Sequence, residues 1–276
     1  MLEDMVWRVL PLEERSPFVI AAMEEVLLET AADKNINTIV FHEWPASFSL
    51  PMAQTLADLN FERCQRKGLP IVQTTVGGRA VYHDKDYCLS YCVAINKDTL
   101  PEKVFNDNTK LYHFLLERVV RGLNALNIPA ETVNNHYVRV GDKKISGNAM
   151  KKIQGGIVLH GSLLFDIPDV DGYVSRMLDF TNTRGERNGW HRDIAQLLSC
   201  VRWHNQTVSR EQACAAIARA FGADYSVRGS LIADEETKIR ELSRGKYAKL
   251  EEYSGQQERG LCWRKYGVSP EETRGR

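Results

Sequence analysis

No sign of charge prevails in this chain: 36 Lys and Arg residues balance 36 Asp and Glu over 276 positions. Gripping a phosphate backbone needs a basic surplus, so nucleic acid is not an expected partner. Long apolar runs are missing too. The opening MLEDMVWRVLPLEERS carries acids among its first residues, with nothing near the roughly 20 apolar residues of a membrane helix. Neither a signal peptide nor a membrane partner is expected, and the reading points to the cytoplasm. Cysteines are few and irregular: Cys64, Cys88, Cys92, Cys200, Cys214 and Cys262, in a chain too long to need a disulfide framework. Cys88 and Cys92 aim at one face of an apparent strand with no matching His or Cys pair nearby. They are expected to be packing thiols, not metal ligands.

Ser16-Pro17 reads as a helix start, and Val19, Met23 and Leu27 carry an amphipathic helix to about Ala32. Strands are expected at INTIVFHEW (36–44), FSL (48–50), PIVQTT and YCLSYCVAI, with a helix from about Ala53 that stops at Gly68. Leu111, Leu115, Val119 and Leu123 share a stripe on a helix over 108–127. HYVRV, KIS and GGIVLHGSLLFDI read as short strands, the second broken at Ser146-Gly147. After about Asp169 the pattern turns helical, with a Ser209/Gln212 capping box and a last helix near Asp234 to Arg244. Several strands are linked too briefly for helical crossovers, which predicts an α+β fold with a mixed, largely antiparallel sheet. The expected division is one domain over 1–253, helical from about 169, and a polar tail over 254–276.

Two stretches carry chemistry. In QTTVGGRAVYHD, Gly77 and Gly78 stand between strands, where a glycine pair serves a plain turn or lets backbone N–H groups approach a ligand. In GDKKISGNAMKK, Lys143 and Lys144 lead into a strand, and burying an ammonium costs several kcal/mol unless an anion answers it. Lys143 reads as solvated; alternation with Ile145 leaves Lys144 undecided.

In this order, Trp7-Arg8, AAMEEVLL, VFHEW, FSLPMAQ, QTTVGGRAVYHD, KKISGNA, HGSLLFD and KYAKLEEY resemble the lipoate-protein ligase family, part of the wider biotin/lipoate ligase and octanoyltransferase group. The resemblance covers most of the chain. It implies a fold like the class II aminoacyl-tRNA synthetase catalytic domain. It also implies ATP- and Mg2+-dependent activation of lipoate or octanoate to an acyl-adenylate, then transfer to a lysine of a lipoyl domain or glycine-cleavage H protein. Lys144 would be the catalytic cation between carboxyl and α-phosphate. Thr74, Gly77, Gly78, Arg79, Ala80, Val81, Tyr82, His83, Gly147, Ala149, His160 and Gly161 would line the nucleotide and acyl site. His83 is expected to orient its loop and His160 to be structural or to face the acyl pocket; no resident metal site is implied. Lys151, Lys152 and Arg187 are candidates for steering an acidic carrier domain.

Departures from the family pattern are specific. Its two arginines before the glycine loop are Gln73 and Thr74 here, and its Asn-Asp pair appears as Asn135-His136 or Asn134-Asn135. The rival reading is an ATP-independent octanoyl or lipoyl transferase. The resemblance places that branch's cysteine shortly before the lysine motif, where IPAETVNNHYVRVGDKK contains none, or close after the histidine-glycine strand, which is also empty. On that ground the ligase is the expectation. A third reading is a binding member, or a subunit that needs a separate small accessory subunit.

Overall fold

The computed structural model describes residues 6–51, 59–77, 80–133, 137–181 and 194–248. Strand β1 (Trp7–Glu14) passes through helix α1 (Pro17–Lys34) into β2 (Asn37–Glu43). β1 and β2 run parallel, which requires a crossover, and α1 supplies it. Then come β3 (Ser47–Pro51), α2 (Phe61–Arg66), β4 (Ile71–Thr74), β5 (Val81–His83) and β6 (Cys88–Asn96). α3 (Glu102–Phe105) and α4 (Asn108–Asn124) lead to β7 (Ala130–Val133), β8 (Tyr137–Val140), β9 (Lys143–Lys152) and β10 (Gly156–Leu164). The C-terminal part holds α5 (Val170–Asp179), α6 (Val201–His204), α7 (Arg210–Ala220), α8 (Ala233–Leu242) and a π-helical turn at Ser243–Tyr247.

A seven-stranded sheet in the order β1-β2-β6-β10-β9-β8-β7 is antiparallel except for its first pair, and β4-β3-β5 form a second, small sheet. The α+β, largely antiparallel expectation holds. On one face of the large sheet the Leu111, Leu115 and Val119 stripe of α4, joined by Ile217 of α7, covers Leu89, Tyr91, Val93 and Leu159. On the other face α1 lies against Val40, Cys92, Ala94 and Val158. The capping box at Ser209 and Gln212 forms as its spacing requires.

Three local expectations change. β9 does not break at Ser146-Gly147 but runs on to Lys152, because cross-strand bonds to β10 continue through the glycine. α1 is not amphipathic: Ile20, Ala21, Met23, Glu24, Leu27 and Leu28 are all buried, since the helix is enclosed by the large sheet, β4 and α8. β7 was not expected from the sequence at all. Residues 53–58, the start of the second expected helix, lie outside the described residues, as does the 254–276 tail. Among the described residues no helix is long and apolar enough to cross a membrane.

Candidate active site

The pairing of β8 with β9 slips by one residue. Val138 faces Ser146 while Arg139 faces Lys144, leaving Ile145 as the extra residue. Such a bulge re-aims side chains. Ile145 and Ser146 both turn toward the α4 side, Ile145 into the core and Ser146 with its Oγ 3.4 Å from the Tyr91 hydroxyl. Lys144 therefore emerges on the opposite face, beside Gly147. Its Nζ lies 2.9 Å from where a Cβ on Gly147 would stand, so glycine is what lets the lysine lie across the strand. The main chain is gripped from outside: Lys144 N–H donates to Leu197 O at 2.8 Å and Lys144 O accepts from Ser199 N–H at 2.9 Å. The Tyr137 ring centroid is 4.6 Å from the ammonium, and among the described residues no carboxylate pairs with it. Burial lowers the Lys144 pKa, against a smaller opposing pull from Cys88.

Register places the rest of this face. Ser90 opposes Ser162, which opposes Gly147; Cys92 opposes His160, which opposes Ala149. Directly opposed side chains share a face, so Lys144 looks along a floor of small residues toward the His160 ring. His160 Nδ1 donates to the Glu24 carboxylate on α1, and both groups are buried. Its ring meets those of Trp44 and His83 edge-on at 5.9 Å each, and Trp44 and His83 stack at 4.1 Å. Ser49 Oγ holds His83 Nε2 at 2.8 Å.

Among the described residues, seven buried polar atoms on or beside elements at this side of the sheet have no hydrogen-bond partner: Glu24 Oε2, His42 Nε2, Trp44 Nε1, Gln73 Oε1, Thr75 Oγ1, His83 Nδ1 and Ser90 Oγ. Leaving such an atom unmet costs about 1–3 kcal/mol, and ordered water or a polar ligand relieves that cost. Their concentration makes this side of the sheet the candidate ligand compartment.

Burial holds His42 and His83 neutral, both well below the ordinary histidine pKa. Their unfolded forms protonate below about pH 6.5 while the folded forms do not, so stability is complete above that pH and falls below it. Each silent histidine contributes about 1.4 kcal/mol per pH unit. Denaturant titrations from pH 7 to 5 should show this slope, reduced in His42→Gln.

The residues named from sequence are distributed as follows. Thr74 ends β4 and is buried with Gln73 and Thr75. Gly77 is exposed and a Cβ there would meet nothing within 4 Å, so no neighbour among the described residues demands glycine. Gly78 and Arg79 lie outside the described residues. Ala80 is half-buried, Val81 is exposed, and Tyr82 is buried with its hydroxyl donating to Asp84 at 3.0 Å. Ala149 and His160 join Lys144 and Gly147 on the small-residue face.

Gly161 does not belong there. Its missing side chain faces the other way, where the Tyr91 ring occupies the space a Cβ would need. Lys151 and Lys152 are also misplaced as guides to the site: they sit at the far end of β9, and Lys152 Nζ donates to Phe105 O. Arg187 and Asn134 to His136 fall outside the described residues. Sequence reasoning missed Glu24, although a carboxylate in helical phase with Ile20 and Leu28 was a usable signal. It also missed Trp44, Ser90 and Ser162, which carry no signal until the strands are aligned.

Comparison with known proteins fits this geometry. Residues 16–222 match the model of the lipoyl protein ligase A/B catalytic domain. The octanoyltransferase LipM of Brevibacillus brevis is 26% identical over 271 residues, covering 88% of this chain and 96% of its own. That of Clostridioides difficile is 26% identical over 281 residues, covering 90% and 98%. Among solved structures, a bipartite lipoate protein ligase from Thermoplasma acidophilum superposes with a TM-score of 0.78 at 22% identity, covering 93% of this chain and 99% of its own. Lipoate-protein ligase A bound with ATP gives 0.72 at 20% identity, covering 87% and 95%. The fold is therefore that of the class II synthetase-like ligases.

The expectation of ATP-dependent ligation is overturned, because the curated relatives are named as octanoyltransferases. The chain agrees with that correction in one physical respect. Where the family's arginines would meet a triphosphate, Gln73 and Thr74 are uncharged and buried, and among the described residues no cluster of His, Cys, Asp and Glu could hold a metal ion. Gln73 and Thr74 therefore supply no cation for a triphosphate. By sequence over three quarters of its length and by fold, the chain belongs to the lipoyl protein ligase A/B catalytic-domain family.

Proposed function

We propose that this protein is an acyltransferase that moves an octanoyl or lipoyl group from a carrier thioester to a lysine of a lipoyl-type domain, a lipoyl domain or H protein, without ATP. The observation that carries the reading is the Lys144 ammonium, turned by a bulge onto a floor of small residues and left without a carboxylate among the described residues. In acyl transfer, negative charge develops on the carbonyl oxygen. A fixed cation in a partly buried site stabilises that charge more than it stabilises the ground state. The floor from Gly147 and Ser162 to Ala149 and Cys92 accepts the chain, and Trp44 and His160 close its end.

The surroundings of Lys144 suit a docking carrier. Tyr137, Leu197 and Trp203 are exposed at this rim, with Lys143 Nζ 5.8 Å from the Trp203 ring centroid. An acceptor lysine reaches only about 6 Å from its own backbone, so its domain must sit directly on these residues. Exposed aromatics beside lysines suit an acidic carrier surface.

The test is mass spectrometry of an apo-lipoyl domain incubated with this protein and an octanoyl-carrier thioester. A mass gain without ATP supports the reading; a gain that requires free acid and ATP defeats it. Gly147→Ala offers a finer check. The new methyl pushes aside the flexible tip of Lys144, so the thermal midpoint should barely move while the transfer rate falls roughly 10- to 100-fold, as misplacement by about 1 Å does elsewhere.

A further inference from the structure

β10 ends at Leu164, and the edge of β9 beside Lys144 is taken up instead by a short strap, Leu197 to Ser199. The strap runs parallel to β9, with Leu198 opposite Lys144. Lys144 N–H donates to Leu197 O at 2.8 Å, and Ser199 N–H donates to Lys144 O at 2.9 Å. Both main-chain polar groups of the lysine are therefore held from this edge, while the bulge against β8 sets it from the other.

Opposed residues of paired strands share a face and neighbours alternate, so Leu198 lies on the Lys144 side and Ser199 turns to the other, the side of Lys143. There the hydroxyl of Ser199, a residue 1% exposed, is bonded to His204 Nε2 at 2.6 Å. His204 closes the short helix α6, which is moored to the body of the domain. Arg202 N–H donates to Phe165 O at 3.0 Å, Trp203 Nε1–H to Ile167 O at 3.2 Å, and the amide of the next residue, Asn205, to Leu126 O at 2.9 Å. The imidazole thus ties the strap to a fixed post. Partial burial, and after it the charge of Lys143, lower the His204 pKa. The ring is uncharged at neutral pH, and Ser199 Oγ–H donates to Nε2.

We propose that His204 is a positioning residue for Lys144, holding the strap on the lysine's main chain from the face opposite the ligand compartment. It acts through Ser199 and does no chemistry itself. Without the ring, a buried hydroxyl loses its partner and the strap keeps only its main-chain bonds to β9. Lys144 then loses both its fixed direction and the cover that Leu198 gives it against water. The effect on rate rests on the transferase reading above; the effect on the lysine's own proton does not.

The first measurement is competitive labelling of the full chain with acetic anhydride across pH, read at the Lys144 peptide by mass spectrometry, which needs no turnover. In the parent the lysine titrates below the ordinary value of about 10.4, because burial outweighs the opposing pull of Cys88. Among the described residues, the groups facing the ammonium are Cys88 on β6 and Tyr137 on β8, and the variants change neither. In Ser199→Ala and His204→Ala the titration should move up toward the ordinary value.

The second measurement is steady-state transfer to an apo-lipoyl domain. In both variants kcat should fall roughly 10- to 100-fold, with KM for the acceptor changed by less than about threefold. The double variant should be no slower than either single one, because each breaks the same linkage. His204→Gln, whose amide can meet the same hydroxyl, should restore most of the rate and the lowered titration. An unshifted Lys144 titration in both alanine variants overturns the proposal. So does a double variant whose losses multiply, or a His204→Gln protein no better than His204→Ala. If His204→Ala does not fold, Ser199→Ala decides by the same readings. Should the parent transfer nothing, the transferase reading fails, and the labelling shift still decides the role of His204.

Discussion

Lys144→Ala abolishes measurable acyl transfer while leaving the fold intact. The expected loss is on the order of 3 kcal/mol in the barrier, roughly 100-fold or more in rate, as for other preorganised groups that meet a developing oxyanion. The folded state should not suffer, because a partly buried ammonium with no carboxylate partner among the described residues contributes desolvation cost and little attraction. Its melting temperature should match or slightly exceed that of the parent. Lys144→Arg should not restore the rate, since a planar guanidinium is wider than the space over Gly147 that a slim ammonium occupies. Single-turnover transfer to an apo-lipoyl domain measures all three proteins. An alanine variant within threefold of the parent would remove the lysine from the chemistry.

The second large effect is on stability. Gly161→Ala places a methyl where the Tyr91 ring packs, and both strands lie in the centre of the large sheet with no room to yield. The Tyr91 hydroxyl is also fixed, donating to Asn148 and lying beside Ser146. Overpacking of this kind costs typically 1–3 kcal/mol, and with a ring pinned on both sides the upper end is expected. Urea denaturation should show a lowered midpoint at an unchanged slope. A Gly161→Ala, Tyr91→Phe double variant should recover little, because the ring itself remains. Stability equal to the parent's would mean that the Tyr91 ring is not packed on this glycine.

How legible was the site? Gly147 and Lys144 were found together because they share one short motif, and the small residues on either side of Tyr91 read clearly as a buried strand. Gly161 was misassigned for an instructive reason. It sits in the same motif as His160, but neighbours along a strand point to opposite faces, so one meets the ligand compartment and the other the α4 core. Lys151 and Lys152 failed as steering residues by the same neglect of strand geometry: seven and eight residues of extended chain carry them about 23 and 26 Å from Lys144. The preference for ligation over transfer rested on the absence of a cysteine at two places, before the lysine motif and close after the histidine-glycine strand, and the relatives' names overturn it.

By itself the sequence determined the kind of molecule: a zero-charge α+β domain with its helices, its central strands and the order of its motifs, because periodicity, caps and turn residues act over a few positions. Tertiary structure alone decided which way Lys144 points, since a bulge against β8 sets that direction and alternation within β9 does not. It also decided that Glu24, His160, Trp44 and Cys88, drawn from four separate stretches, share one side of one sheet. The physical reason is range. A side chain's face is set by the register of strands far apart in sequence, and register is fixed only when the sheet closes around its core.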